Sequence, residues 1–215
     1  MKNFQNPFSP EMIEQIKAGL ERYDSLQKKD GFIKLAELGW YINGSMTLAH
    51  SAWLMDMALE NEIDKINKDL SSHYVEEMLD RVKFLKKYQS KRYLIIKEAI
   101  ECHLSGKYHA SVALFLSQAD GLCKGLLFIT RNKKKELKKF IAEEKKNKFF
   151  EDILEVIQRV NKIDEYFSQG LSGSNELNRH AVLHGYDTDF GTELNSLKAY
   201  SLLLFVDDFL KNKKL

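Results

Sequence analysis

The stretch Ile63-Asp64-Lys65-Ile66-Asn67-Lys68-Asp69-Leu70-Ser71-Ser72-His73-Tyr74-Val75-Glu76-Glu77-Met78-Leu79-Asp80-Arg81-Val82-Lys83-Phe84-Leu85 decides the fold class. Ile63, Ile66, Leu70, Tyr74, Met78, Val82 and Leu85 return every three or four residues, which puts them on one face of an α-helix. Strand-like alternation is absent here and scarce elsewhere, and proline stands only at Pro7 and Pro10. The chain therefore reads as all-α.

Toward the N-terminus, Ser9 and Pro10 supply an N-cap and first turn for a helix with the stripe Ile13, Ile16, Leu20 and Tyr23, expected to end near Asp30-Gly31. A second helical unit, Phe32 to Leu59, is broken at Asn43-Gly44 and sends Trp40, Trp53, Met55 and Met57 to the core. Downstream of Leu85, a helix from Arg92 to His103 stops at Ser105-Gly106. The apolar run from His109 to Ile129 is expected at the centre of the bundle, with Asp120 either held by a structural partner, the favoured reading, or facing a cleft. Phe149 to Ile163 is helical, Ser168 to Ser174 is a linker, and a last buried helix starts near Thr192. Its inward residues are Leu194, Leu197, Tyr200, Leu203, Leu204 and Phe209.

A chain of 215 residues buries a real core but is short for two large domains. The expected division is an N-terminal helical region, residues 1–88, of unassigned role, followed by a helical bundle over 89–215. The 33 basic and 31 acidic residues leave a net charge of +2, which excludes a polycation that coats nucleic acid indiscriminately. Any RNA contact must be local. Cys102 and Cys123 sit in apolar helical context and read as reduced core residues, with neither a disulfide nor a zinc site implied. Met1 to Pro10 lacks a basic and then apolar leader, and no run of about 18 apolar residues occurs, so a soluble cytoplasmic protein without a membrane partner is expected.

The chemistry concentrates in Asn178-Arg179-His180-Ala181-Val182-Leu183-His184-Gly185. Arginine offers a permanent planar cation that fits phosphate oxygens, and histidine exchanges protons near neutral pH. Metal-free RNA cleavage needs a base for the ribose 2′-hydroxyl, a cation for the charge building on phosphate, and an acid for the leaving 5′-oxygen. His184 suits the acid or base role and Arg179 the phosphate clamp. In such a reaction the 2′-hydroxyl would be the nucleophile, so cleavage would be confined to RNA and would leave a 2′,3′-cyclic phosphate. On an ideal helix the two residues stand about 140° apart, an awkward separation for one site on one straight element. Lys133, Lys134, Lys135, Lys138 and Lys139 lie in a basic segment that suits either an RNA-attracting face or a solvated helix surface.

The order arginine, polar residue, three variable residues, histidine, carried here by Arg179, His180 and His184, resembles the signature of the HEPN superfamily over roughly residues 91–215. The resemblance implies a HEPN-like helical bundle and a metal-independent endoribonuclease that needs no cofactor, in a toxin or antiviral defence setting. It also implies a homodimer whose two motifs meet in one cleft, so that two-fold symmetry completes the site. Arg179, His184 and Tyr186 together resemble the extended motif of HEPN toxins paired with a minimal nucleotidyltransferase antitoxin, in which the tyrosine is adenylylated. The partners so implied are an RNA substrate, a second copy, and an antitoxin or defence-system protein.

Two other readings stay open. HEPN-like folds also serve as non-catalytic RNA-binding or dimerisation modules. Glu176, His180 and His184 share a helical face, a spacing compatible with zinc, although no glutamate directly follows His180 and three ligands on one straight helix span far. His50, His73, His103 and His109 stand apart from one another in sequence and read as structural.

Overall fold

The computed structural model describes residues 26–88, 92–125, 127, 136, 139 and 177–211, in which the regular structure is helical and no strand occurs. The principal helices are α1 (Leu26–Glu37), α2 (Leu48–Leu59), α3 (Ile63–Tyr88), α4 (Tyr93–Leu104), α5 (Tyr108–Leu122), α6 (Arg179–Leu183) and α7 (Glu193–Lys211). The chain is all-α across these residues, and none of their helices is long and apolar enough to cross a membrane. The features expected at Ser9 to Tyr23, Phe149 to Ile163 and Ser168 to Ser174 lie outside the described residues.

The α3 stripe buries Ile66, Leu70, Tyr74 and Met78 completely. Each such aliphatic side chain contributes about 1.5–3 kcal/mol by leaving water. They join one continuous core with Leu35, Trp40, Leu54 and Met55 from the first third of the chain and with Ile96, Phe115, Leu116, Leu197 and Leu203 from the rest. Residues on both sides of position 88 thus share the same apolar interior.

Two helix ends differ from expectation, each for a local reason. The α1 helix runs through Asp30-Gly31 instead of stopping there. A Cβ at Gly31 would lie 2.6 Å from the Cβ of Met55, so this glycine is where α1 and α2 approach closely. The chain turns instead at Gly39, whose φ of +86° admits the left-handed turn. Asn43-Gly44 falls in the following irregular segment, and Thr47 restarts the helix by accepting the His50 amide at 3.2 Å. Trp40 and Met55 are buried and Met57 half-buried as expected, but Trp53 is exposed, tilted against His50.

The second difference concerns the run from His109. It remains helical only to Leu122, after which Lys124 and Gly125 take φ values of +56° and +75°. Arg92 closes this end by donating to the Gly121 carbonyl at 2.9 Å and to Gln118 Oε1 at 2.8 Å, a cation at the negative end of the helix. Asp120 does have a structural partner: its Oδ1 accepts the Leu127 amide at 2.9 Å. Burial beside Asp120 pushes the Cys123 thiol up to about 12, which keeps it protonated and inert.

The run from His109 does lie at the centre, with α5 packed against α4, α6 and α7, but the most completely buried helix is α7. Every residue from Asn195 to Val206 is buried, along with Asp207, whereas α5 buries one face and exposes Ser117. Ser201 to Val206 carries apolar residues on all sides after its first position, while polar residues interrupt α5. The α7 helix lies chiefly against α5 and also touches α3, and the short α6 rests on α5.

Candidate functional site

Helix α6 is one and a half turns long, and local chemistry fixes both ends. Asn178 opens it: its side-chain Oδ1 accepts the Ala181 amide at 3.1 Å, and its carbonyl accepts the Val182 amide at 3.0 Å. Gly185 closes it with φ +74°, while the Tyr186 amide reaches back to the Ala181 carbonyl at 2.8 Å. Leu177, Ala181 and Val182 anchor it in the core.

The following turn is held from the side by His109. Its Nε2 donates to the Thr188 carbonyl at 3.1 Å and its ring meets Phe190 edge-on, with centroids 5.0 Å apart. Gly191 leaves room for that ring, since a Cβ there would come within 2.2 Å of it. Asn195 then secures the start of α7 by donating to the Phe190 carbonyl at 3.1 Å.

These supports separate the two motif residues. Arg179 is turned into the protein and is 1% exposed, whereas His184 stands in the open turn. The angular separation expected of an ideal helix is here a separation between interior and solvent. The His184 ring lies near that of the exposed Tyr186, nearly parallel, with centroids 6.3 Å apart. His180 lies in the helix, but its side chain falls outside the described residues, as does Glu176. Among the described residues no group of three or more histidine, cysteine, aspartate or glutamate side chains is arranged to hold a metal ion. Lys133, Lys134, Lys135 and Lys138 also lie outside them. Lys139 is helical and exposed.

The environment of Arg179 is unusual for a buried cation. Its terminal nitrogen NH2 donates to the Tyr41 hydroxyl, and its guanidinium carbon lies 5.1 Å from the centre of the Tyr41 ring. Among the described residues Nε and NH1 have no hydrogen-bond partner. Among the described residues no carboxylate forms an ion pair with it. Removing a guanidinium from water costs several kcal/mol even after relaxation. One hydrogen bond from a charged donor returns about 1.5–3 kcal/mol and a desolvated cation–π contact about 2. The cost of the nitrogens left without partners is part of that desolvation, about 1–3 kcal/mol for each unmade bond. The phenol meets one nitrogen of the guanidinium and leaves that part uncompensated.

Tyr41 is in turn immobilised. Its amide donates to Ser201 Oγ at 3.3 Å, its carbonyl accepts the Tyr74 hydroxyl, and its ring tilts against Phe205 at 5.7 Å. Burial raises its phenol pKa, an effect that Arg179 opposes by its charge and its hydrogen bond, so the hydroxyl stays neutral. Sequence reading assigned nothing to Tyr41. Its place beside a core tryptophan hides a polar role.

Two other polar groupings escaped it. His50 Nε2 pairs with Asp69 Oδ2 at 2.6 Å across α2 and α3, and His73 Nε2 lies 3.4 Å from Glu77 Oε2, which also accepts from Asn43. The spacing of Asp69, His73 and Glu77 at successive helical turns was a visible signal. The other grouping, His103 with Ser196 and Ser111, brings together three helices and left no pattern in the chain. No protein-family model, characterised protein or solved structure gives a significant match to this chain.

Proposed function

We propose that the protein is a metal-independent endoribonuclease in which His184 moves the proton and Arg179 holds the scissile phosphate. The observation that carries this reading is the buried guanidinium with two nitrogens, Nε and NH1, lacking partners among the described residues. A purely structural arginine at this depth normally meets a carboxylate or several carbonyls, whereas a cation with open donors in a low-dielectric setting is suited to an oxyanion. His184 supports the same reading from the other side: it is exposed beside Tyr186, reachable by a chain as large as RNA.

In the described state Arg179 is closed off, so a phosphate reaches it only if the guanidinium or its cover moves. A second copy that supplies its own His184 or Arg179 would ease the separation between the two residues, and a toxin or defence role for such an enzyme follows from the resemblance alone. The burial of Arg179 specifically favours a second reading, a non-catalytic helical module in which Arg179 only ties α6 to the first third of the chain.

The deciding experiment incubates the full chain with mixed single-stranded RNA and DNA in excess chelator. RNA cleavage leaving 2′,3′-cyclic ends, with DNA intact, is expected, together with loss of about 10²–10³-fold in rate for His184→Ala. Activity regained on mixing Arg179→Ala with His184→Ala supports a site shared by two copies. An inert wild type, or a fully active His184→Ala, refutes the enzyme reading and leaves the module.

A further inference from the structure

The interior of the molecule poses a question that the proposed reaction leaves open: what keeps the motif arginine inside. Among the described residues Tyr41 is the only polar partner the structure gives it. The phenol comes from the irregular segment between α1 and α2, more than 130 residues earlier in the chain. It is also a rigid post, fixed at its amide, its carbonyl and its ring by Ser201, Tyr74 and Phe205. A neutral hydroxyl satisfies one donor of the guanidinium and leaves its charge uncompensated. A phosphodiester oxygen would satisfy further donors and neutralise the charge, so the guanidinium gains by changing partner.

We propose that Tyr41 is a positioning residue that holds Arg179 withdrawn, and that a phosphodiester group displaces the phenol as the partner of the guanidinium. The proposal rests on the ribonuclease reading and assigns the first third of the chain a part in it: the segment after α1 restrains the motif arginine. In the withdrawn state Arg179 points from α6 into the interior while His184 stands in the exposed turn after it, and the site is assembled only when nucleic acid arrives. Removing a residue that restrains the closed state raises apparent affinity, because less free energy is consumed in reaching the binding-competent state; removing one needed only for packing does not. The sign of the effect therefore separates the two.

The probe is a single-stranded oligonucleotide with 2′-O-methyl riboses, which lack the attacking hydroxyl and cannot be cut. Tyr41→Phe keeps the ring and its packing and removes the hydroxyl. Its binding to the probe is expected to tighten by about tenfold, the equivalent of about 1.4 kcal/mol and of one hydrogen bond from a charged donor. The gain should vanish when Arg179→Lys is added, since the lysine ammonium does not span the same contacts.

Equal or weaker binding by a folded Tyr41→Phe overturns the proposal. Should that variant not fold, the wild type decides: in spectra of protein with ¹⁵N-labelled arginine, the Arg179 Nε–H signal should move on saturation with the probe. A signal unchanged at saturation overturns it. Cleavage by the wild type together with either negative result refutes the restraint and leaves the ribonuclease standing. Absence of both cleavage and probe binding refutes the two together.

Discussion

Two polar centres are buried within the same core, and they are built on opposite terms. In one, His103 of α4 meets Ser196 of α7 at 2.8 Å, and Ser196 meets Ser111 of α5 at 2.7 Å, while Ser111 can donate onward to the Tyr108 carbonyl at 3.1 Å. With the proton on Nδ1, every donor in this series has an acceptor, and all three residues are neutral. In the other, Arg179 carries a full charge, one neutral acceptor and two nitrogens without partners. A satisfied neutral network fixes three helices in place. A charged group left short of acceptors marks a position whose present arrangement is not its only useful one.

The largest effect expected from breaking this contrast is at Arg179 itself. Arg179→Met keeps length and flexibility and removes the buried charge with its unpartnered nitrogens, leaving the Tyr41 hydroxyl as the one group that loses its partner. Cleavage should fall by at least about 10²-fold. Thermal stability should hold or rise, because replacing a poorly paired buried ion by an apolar side chain is often neutral or favourable by about 1–4 kcal/mol. Activity assays and melting curves on one preparation check both halves. A marked drop in melting temperature would assign Arg179 to the scaffold.

The neutral centre should respond in the opposite sense. Ser196→Ala deletes the middle of the series, leaving His103 Nδ1 without its acceptor and Ser111 without its donor in a dry site. A loss of about 1–3 kcal/mol in denaturant unfolding is expected, with cleavage by the folded fraction unchanged. Stability equal to wild type would mean that water or a shifted side chain fills the gap.

The difference between the two centres also explains what the sequence made legible. Periodicity located α3, and Ile66, Leu70, Tyr74 and Met78 fall where the stripe places them, because burial of one face leaves a local repeat. Glycine was ambiguous: Gly106 and Gly185 take positive φ at helix ends, but Gly31 serves a close helix crossing, and only its neighbour Met55 reveals that. The cap of α6 is Asn178, whereas the sequence points to the end of the Ser168–Ser174 linker for that role. The angular separation of Arg179 and His184 followed from helix geometry, yet which of them faces inward depended on α5 and on Tyr41. Contacts such as Tyr41 with Arg179, or His103 with Ser196, join residues far apart in the chain and leave no spacing to read.

The smallest effect, and the sharpest check on the neutral centre, is its response to acid. Burial lowers the His103 pKa below its ordinary value of 6.5, with nearby Glu193 opposing the shift only in part. A second ring proton would enter on Nε2, for which the hydrogen-bonded series offers no acceptor. The folded state therefore takes up that proton less readily than the unfolded chain. Stability from this source is complete above about pH 7 and declines as the pH falls through 6.5 toward the folded value, by no more than about 1.4 kcal/mol per pH unit. Other histidines titrate over the same range, so the quantity to measure is the difference between wild type and His103→Gln in denaturant unfolding from pH 8 to pH 5. The wild type should lose stability relative to the variant on acidification. A constant difference would mean that His103 charges freely where it stands, and a reversed slope would mean that the attraction of Glu193 outweighs burial.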